Sequence, residues 1–195
     1  MRIRKSILAM AGIAMLTVIT YEVYANCIGC PPPGEEVNCA TNAQPSLRLN
    51  DGSEVTVPSQ GMAHFTVVES HQGAGAFNTL RLTGFQGSGE APGFGTFTWM
   101  GDPDRTTELS RVVSNAADGG FPGTSDIYMH MNVTLSWQPG KVFRSMTPIH
   151  VRSTKLMSWA PQRQERYRLV SRVQFLDPET GEIAFTLTDL PCVLN

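Results

Sequence analysis

Charged residues are scarce in this sequence of 195 amino acids. Asp, Glu, Lys and Arg make up 16% of it, against about a quarter in an average domain. A chain with so little charge is neither a charge-rich disordered protein nor a coiled coil, because both depend on charged side chains. The length fits one globular domain that buries about two-thirds of its unfolded surface, so it needs neither metal nor disulfides to form a core.

Helical periodicity and enzyme signatures are also missing. No window of eleven residues or more carries an apolar stripe with helix caps. The sequence has no Gly-x-Ser-x-Gly elbow, no His-Glu-x-x-His and no Walker loop. The glycine-rich segment 84–95 lacks a Lys-Ser/Thr ending, so it predicts a surface loop. We therefore predict no cofactor and no catalytic residues, and a hydrolase assembled from distant residues stays as an alternative.

The N-terminus has the pattern of a signal peptide. Three basic residues among the first five precede an uncharged run, residues 6–20, and small or aliphatic side chains follow up to Ala25. The run of about 15 apolar residues is short of the roughly 20 that span a bilayer. We predict a signal peptide over 1–25, cleavage after Ala25, and a secreted or periplasmic protein with no transmembrane segment in the mature chain, 26–195.

Cysteine is rare, and export changes what it implies. Disulfides persist in an oxidising compartment, so Cys27, Cys30, Cys39 and Cys192 predict two bridges, with three connectivities open. Three of them belong to a Pro-rich leading segment, 26–45, which the bridges would tie to the body of the protein. A redox pair at Cys27 and Cys30 is disfavoured because three prolines follow, where a helix would have to begin.

From Ser46 onward the pattern is that of β-strands. Short runs rich in Val, Thr, Phe, Leu and Ile alternate with clusters of Gly, Pro, Asp and Asn. About ten such runs predict an all-β fold, namely a single antiparallel β-sandwich or jelly-roll-like domain over 46–195.

One hairpin is specified in detail. In 126–137 the odd positions are apolar and the even ones polar, and 143–152 alternates in the same way after Gln138-Pro139-Gly140. One extra residue in the turn, with Gly140 in a left-handed conformation, makes both faces agree. The predicted pairs are Leu135 with Phe143, Met129 with Ile149, Ile127 with Val151, Asp126 with Arg152, Tyr128 with His150 and Thr134 with Arg144.

This hairpin argues against a metal site. Met129-His130-Met131 contains the soft ligands that bind Cu(I), but alternate residues of a strand point to opposite faces. The two methionines therefore belong to the core, and we predict no metal.

The charges are distributed unevenly. Segment 141–172 holds eight Lys and Arg against Glu165 alone, a net charge of +7, while the rest of the mature chain has four against fifteen, a net charge of −11. Strand alternation predicts a basic sheet face that would attract an anionic polysaccharide, a lipid phosphate or an acidic protein surface. Nucleic acid is not expected of an exported chain with a net charge of −2. The residues of this face are Arg144, His150, Arg152, Arg166, Arg168 and Arg172.

Two interpretations of these arginines stand side by side. Either they pair with the protein's own carboxylates, or they bind a partner. The resulting hypothesis is an exported non-catalytic module with a binding or structural role. The alternative is a carbohydrate-binding module that stacks sugars on exposed aromatic side chains, although Trp137 is predicted to face the core. The candidate aromatic residues are Trp99, Trp137, Trp159, Tyr128 and Tyr167.

Overall fold

The computed structural model describes residues 31–105, 108–157, 159 and 165–195. Within them the chain is all β, with fifteen strands and no helix. The predicted signal peptide, Cys27 and Cys30 lie outside the described residues. The strands are β1 Glu36–Ala43, β2 Ser46–Leu49, β3 Glu54–Thr56, β4 Ser59–His71, β5 Phe77–Ala91, β6 Gly95–Gly101, β7 Ser110–Ser114, β8 Gly123–Met129, β9 Met131–Leu135, β10 Phe143–Ser145, β11 Ile149–Leu156, β12 Glu165–Leu169, β13 Val173–Leu176, β14 Ile183–Asp189 and β15 Cys192–Leu194.

The strands form one closed antiparallel barrel. They make eight long paths, where a path is one strand or two consecutive strands that cross the barrel once. In chain order the paths are β1/β2, β3/β4, β5, β6/β7, β8/β9, β10/β11, β12/β13 and β14/β15. Each path pairs with the one before it and the one after it in the chain. The last path pairs with the first, through β15 with β1 and β14 with β2. The fold is therefore an eight-stranded up-and-down barrel.

The predicted all-β, antiparallel class is confirmed, but the strands do not form a sandwich or jelly roll. A closed barrel and a sandwich or jelly roll produce the same alternation of apolar and polar residues along a strand. The difference lies in the pairing of the two chain ends, such as Thr41 with Leu194 and Leu49 with Phe185. No local pattern encodes contacts between residues so far apart in the sequence.

Two predicted boundaries also differ from the structure. The barrel begins at Glu36, because β1 lies inside the segment assigned to the leader and pairs with both β4 and β15. Its inward residues include Cys39 and Thr41, which are weaker strand signals than Val or Ile. The glycine-rich segment predicted as a loop is mostly strand, since β5 continues to Ala91.

Prolines interrupt three neighbouring paths at the same level of the barrel. Pro45 separates β1 from β2, Pro58 precedes β4, and Pro191 precedes β15. Proline has no backbone N–H to donate to the ladder, but its carbonyl still accepts. Val57 donates to Pro45 O at 2.9 Å, and Gln44 donates to Pro191 O at 3.0 Å. The three paths are thus interrupted at one level and remain joined by hydrogen bonds.

The hairpin predicted from 126–137 and 143–152 is confirmed in the part farther from its turn. Residues 126–129 pair with 149–152 as predicted, and Gly140 has a φ of +86°. Nearer the turn the register is shifted by two residues, so Phe143 pairs with Val133 and not with Leu135. Arg144 accordingly pairs with Asn132 and not with Thr134. A shift of two keeps every side chain on its predicted face, which is why the sequence pattern does not reveal it.

Candidate functional site

An apolar cavity lies inside the barrel. Its volume is about 60 Å³, so it is small. Alternation along the strands supplies its wall, since inward positions of neighbouring paths carry apolar or small side chains. The lining residues are Thr41, Ala43, Pro45, Ser59, Gln60, Ala63, Phe65, Phe85, Gly87, Trp99, Ile127, Met129, Met131, Ile149, Val151, Leu187, Leu190, Cys192 and Leu194.

Aromatic rings pack next to the cavity. Phe175 stacks on Phe185 with centroids 4.8 Å apart, and Phe143 lies 5.5 Å from Phe185. None of these three rings lines the cavity, but Trp99 does, and it meets Phe175 edge-on at 6.4 Å. The cavity therefore begins where this phenylalanine cluster ends.

Trp99 is the one tryptophan among the residues that line the cavity. Its side chain is 4% exposed, and its indole N–H has no acceptor among the described residues. Buried polar groups almost always have a hydrogen-bond partner, so an unpaired donor calls for one. The wall is thus almost entirely apolar, and one of its residues, Trp99, holds an unpaired donor.

Of the three disulfide connectivities left open, the structure excludes the one that joins Cys39 to Cys192. Cys39 and Cys192 are free, and the register places Cys192 opposite Ala43, four residues along β1 from Cys39. Four residues of strand span about 13 Å, which is too far for a disulfide. Burial raises the pKa of Cys39 to about 11 and that of Cys192 to about 12, so both stay protonated.

Tyr167 adds a second polar group to the interior. Its side chain is 1% exposed, and burial raises its pKa well above the ordinary value, although the nearby Ser125 hydroxyl acts in the opposite direction. The two hydroxyls face each other without a well-aligned hydrogen bond. The phenol therefore remains neutral.

The structure separates the predicted basic face into two groups. Arg144 approaches Asp104 at 3.6 Å, and His150 contacts Asp126 at 2.6 Å and stacks on Tyr128 at 4.3 Å. These two residues are engaged with groups of the protein itself.

Three residues of the predicted face lie together on the outer surface with Lys155, which was not assigned to that face. Arg152 and Lys155 on β11 lie beside Arg166 and Arg168 on β12, and all four are exposed. Arg172 is exposed in the bend between β12 and β13. We call the first four residues the basic strip.

The candidate aromatic residues for sugar stacking are mostly buried. Trp99 and Trp159 are 4% exposed and Tyr167 is 1% exposed. Trp137 was predicted to face the core, but β9 ends at Leu135 and the indole is 39% exposed, with Phe97 at 5.0 Å. These side chains do not form a common surface.

The side chains of Met129 and Met131 face the interior, as predicted. Met129 and Met131 line the cavity, whereas His130, between β8 and β9, is buried but does not line it. Burial, together with the nearby Arg105, lowers the pKa of His130. In the part of the chain that the structure describes, no cluster of three or more His, Cys, Asp or Glu side chains could hold a metal ion. No helix there is long and apolar enough to cross a membrane.

The sequence pattern places these methionines in the core and does not predict a cavity beside them. The available signal was the small size of other inward residues, Ala43, Ala63 and Gly87, on neighbouring strands. Small side chains opposite flexible methionines leave space that the barrel does not fill.

Comparisons with known proteins bear on the fold alone. No family model matches the sequence, and no curated protein matches it. Among solved structures the chain is similar to DynF from the dynemicin biosynthesis pathway of Micromonospora chersina, at 17% identity and a TM-score of 0.74. The match covers 88% of this chain and 86% of DynF. It supports the barrel architecture and carries no residue role across.

Proposed function

We propose that the protein is an exported, non-catalytic binding module that holds a slender apolar ligand inside its barrel. The observation that carries this proposal is the interior cavity, whose wall is apolar apart from a few small polar groups. Eight-stranded barrels are of the size that either fills completely with side chains or encloses one small ligand. Export rests on the signal peptide predicted over 1–25.

The size and the lining of the cavity select the ligand. An open volume of about 60 Å³ is small and its wall is apolar, so it suits an unbranched alkyl group better than a fused ring system. Each buried methylene contributes about 0.8 kcal/mol to binding. Met129 and Met131 are flexible side chains that adjust to a guest.

The unpaired indole N–H of Trp99 narrows the choice of ligand further. An acceptor oxygen on the ligand would meet the Trp99 indole N–H, which otherwise stays buried without a partner. We therefore expect an alkyl chain that carries one hydroxyl, ester or carbonyl oxygen. A neutral probe of this type is n-decanol, and its neutrality keeps it away from the basic strip.

Titration with n-decanol tests the proposal. Trp99 is one of three tryptophans and lies at the cavity wall, so we expect a saturable change in tryptophan fluorescence and a matching heat by calorimetry. At a ligand concentration of 100 times Kd, the free energy of unfolding should rise by about 2.7 kcal/mol.

Two variants distinguish interior binding from adsorption. Ala63→Leu places three extra carbon atoms in the cavity and should weaken binding at least about tenfold. Ala184→Leu adds the same group on β14 away from the cavity and should bind as the parent does. The proposal fails if the parent shows no saturable binding, or if Ala63→Leu binds decanol as tightly as the parent.

A further inference from the structure

The basic strip brings like charges together. Arg152 and Arg168 are directly opposite each other in the register of β11 and β12, and Arg166 follows two positions along the same strand. Like charges directly opposite on a sheet destabilise it unless something neutralises them. None of the residues of the basic strip lines the interior cavity.

The protein itself neutralises only one of these cations. Asp126 Oδ1 accepts from Arg152 Nε at 2.6 Å. Across the described ranges, no ion pair joins Lys155, Arg166 or Arg168 to a carboxylate. Glu165 on the same strand is 5% exposed and accepts from the Met157 backbone N–H at 2.7 Å. The strip therefore presents uncompensated positive charge on a chain whose net charge is −2.

Two outer grooves meet at this strip. One, of about 810 Å³, crosses β12, β15, β1 and β4 where the prolines interrupt the strands, and the other, of about 570 Å³, lies over β11 and β12. Arg166 and Arg168 line both grooves. The rest of the first groove includes uncharged hydrogen-bonding groups, among them Asn42, Gln44 and Gln60.

We propose that these joined grooves bind an acidic polysaccharide. Arg166 and Arg168 are two residues apart on one strand, about 6.7 Å, so they can meet successive anionic groups of a polymer. Guanidinium groups recognise carboxylate and sulfate through paired hydrogen bonds, while amide side chains suit sugar hydroxyls. A concave trough accommodates a chain and not the flat surface of a membrane. The negative charge elsewhere on the protein confines a polyanion to this trough.

Binding to two soluble polymers, heparin and polygalacturonate, tests the proposal. The first offers sulfate and the second carboxylate, so the comparison identifies the preferred group. We expect binding to at least one of them at low salt and progressive loss as the salt concentration rises past about 0.1 M, where charges separated by more than about 10 Å are screened.

A matched pair of charge reversals locates the site. Arg168→Glu should weaken binding at least about tenfold, and Arg81→Glu, an exposed arginine on β5 outside both grooves, should leave it within about twofold. Arg168→Glu should also be at least as stable as the parent, because a carboxylate then faces Arg152. That stability measurement separates lost binding from lost folding.

Three outcomes would overturn the proposal. They are no binding of either polymer by the parent, an equal loss in the Arg168→Glu and Arg81→Glu variants, and binding to phosphatidylserine vesicles as tight as binding to the polymers. The last result would identify a lipid surface as the partner.

Discussion

Asp126 allows the charge arrangement of the barrel wall to be tested quantitatively. Its Oδ1 accepts from Arg152 Nε and approaches His150 Nε2, both at 2.6 Å, and its side chain is 21% exposed. Hydrogen bonds to charged groups contribute about 1.5–3 kcal/mol when buried and less when solvent reaches them. We expect Asp126→Asn to lower the free energy of unfolding by about 1–2 kcal/mol at pH 7, measured by urea denaturation.

The pH dependence of this loss has a definite sign. Burial of Asp126 raises its pKa, but the hydrogen bonds from Arg152 and His150 outweigh burial, so the pKa lies below its ordinary value. A lowered pKa in the folded state gives stability that is fully present above the unfolded pKa, about 3.9, and is lost as the pH falls through the folded value. The difference between parent and Asp126→Asn should therefore shrink toward zero as the pH falls from about 4 toward 2.

A second variant isolates the interaction between Asp126 and Arg152. In an Arg152→Gln background, Asp126→Asn should cost clearly less than it does alone, because the main partner of the carboxylate is already absent. Equal stability of the parent and Asp126→Asn at pH 7 would refute the reasoning. So would a loss of the same size at pH 7 and at pH 2.5.

Three further predictions concern the interior. Phe175→Ala should lower the free energy of unfolding by about 3–5 kcal/mol in urea, because a fully buried stacked ring is removed; a loss under 1 kcal/mol would contradict the packing described. Gly61→Ala should destabilise the barrel by about 1–3 kcal/mol, since its Cβ would lie 2.3 Å from a carbonyl oxygen. Gly84→Ala is the control and should change stability far less, because the nearest atom to its Cβ would be 3.4 Å away. Equal melting temperatures of the two variants would be inconsistent with this close approach of β4 and β5. Cys39 and Cys192, with their raised pKa values, should resist iodoacetamide at pH 8 and react only when the protein unfolds. Peptide mass spectrometry would detect the labelled cysteines. Fast labelling of the native protein would disprove their burial.

The hairpin shows how far local pattern determines structure. Alternation in 126–129 and 149–152 was sufficient to pair Asp126 with Arg152, because a shift of one residue would expose Ile127 and Val151. The two-residue shift nearer the turn lies beside a contact from another part of the chain. Arg105 donates to the carbonyl oxygens of Ser145 and Met146, and this contact from the connection after β6 has no signal in the hairpin itself.

Barrel closure lies beyond sequence patterns for a related reason. Pairing of β1 with β15 joins residues near opposite ends of the chain, and each strand would alternate in the same way at the edge of a sandwich. The cavity follows from closure, because only a closed wall turns inward-facing Ala63 and Met129 toward a common space. It could not be predicted before the closure was known.

The basic face was predicted by strand parity, and parity places Arg152, Arg166 and Arg168 on the outer surface. It does not reveal which carboxylates approach. Arg144 lies near Asp104, which belongs to the connection after β6, and only the folded chain brings the two together. Alternation assigns the face of a residue, and tertiary structure decides its partner.

The most direct test of apolar binding inside the barrel is a crystal structure grown with a brominated decanol. Anomalous scattering locates the bromine without ambiguity. We expect a single bromine site within the cavity bordered by Ala63, Trp99 and Met129, with the ligand oxygen close to the Trp99 indole nitrogen. Bromine found only on the outer surface, with the interior closed by repacked side chains, would contradict this expectation.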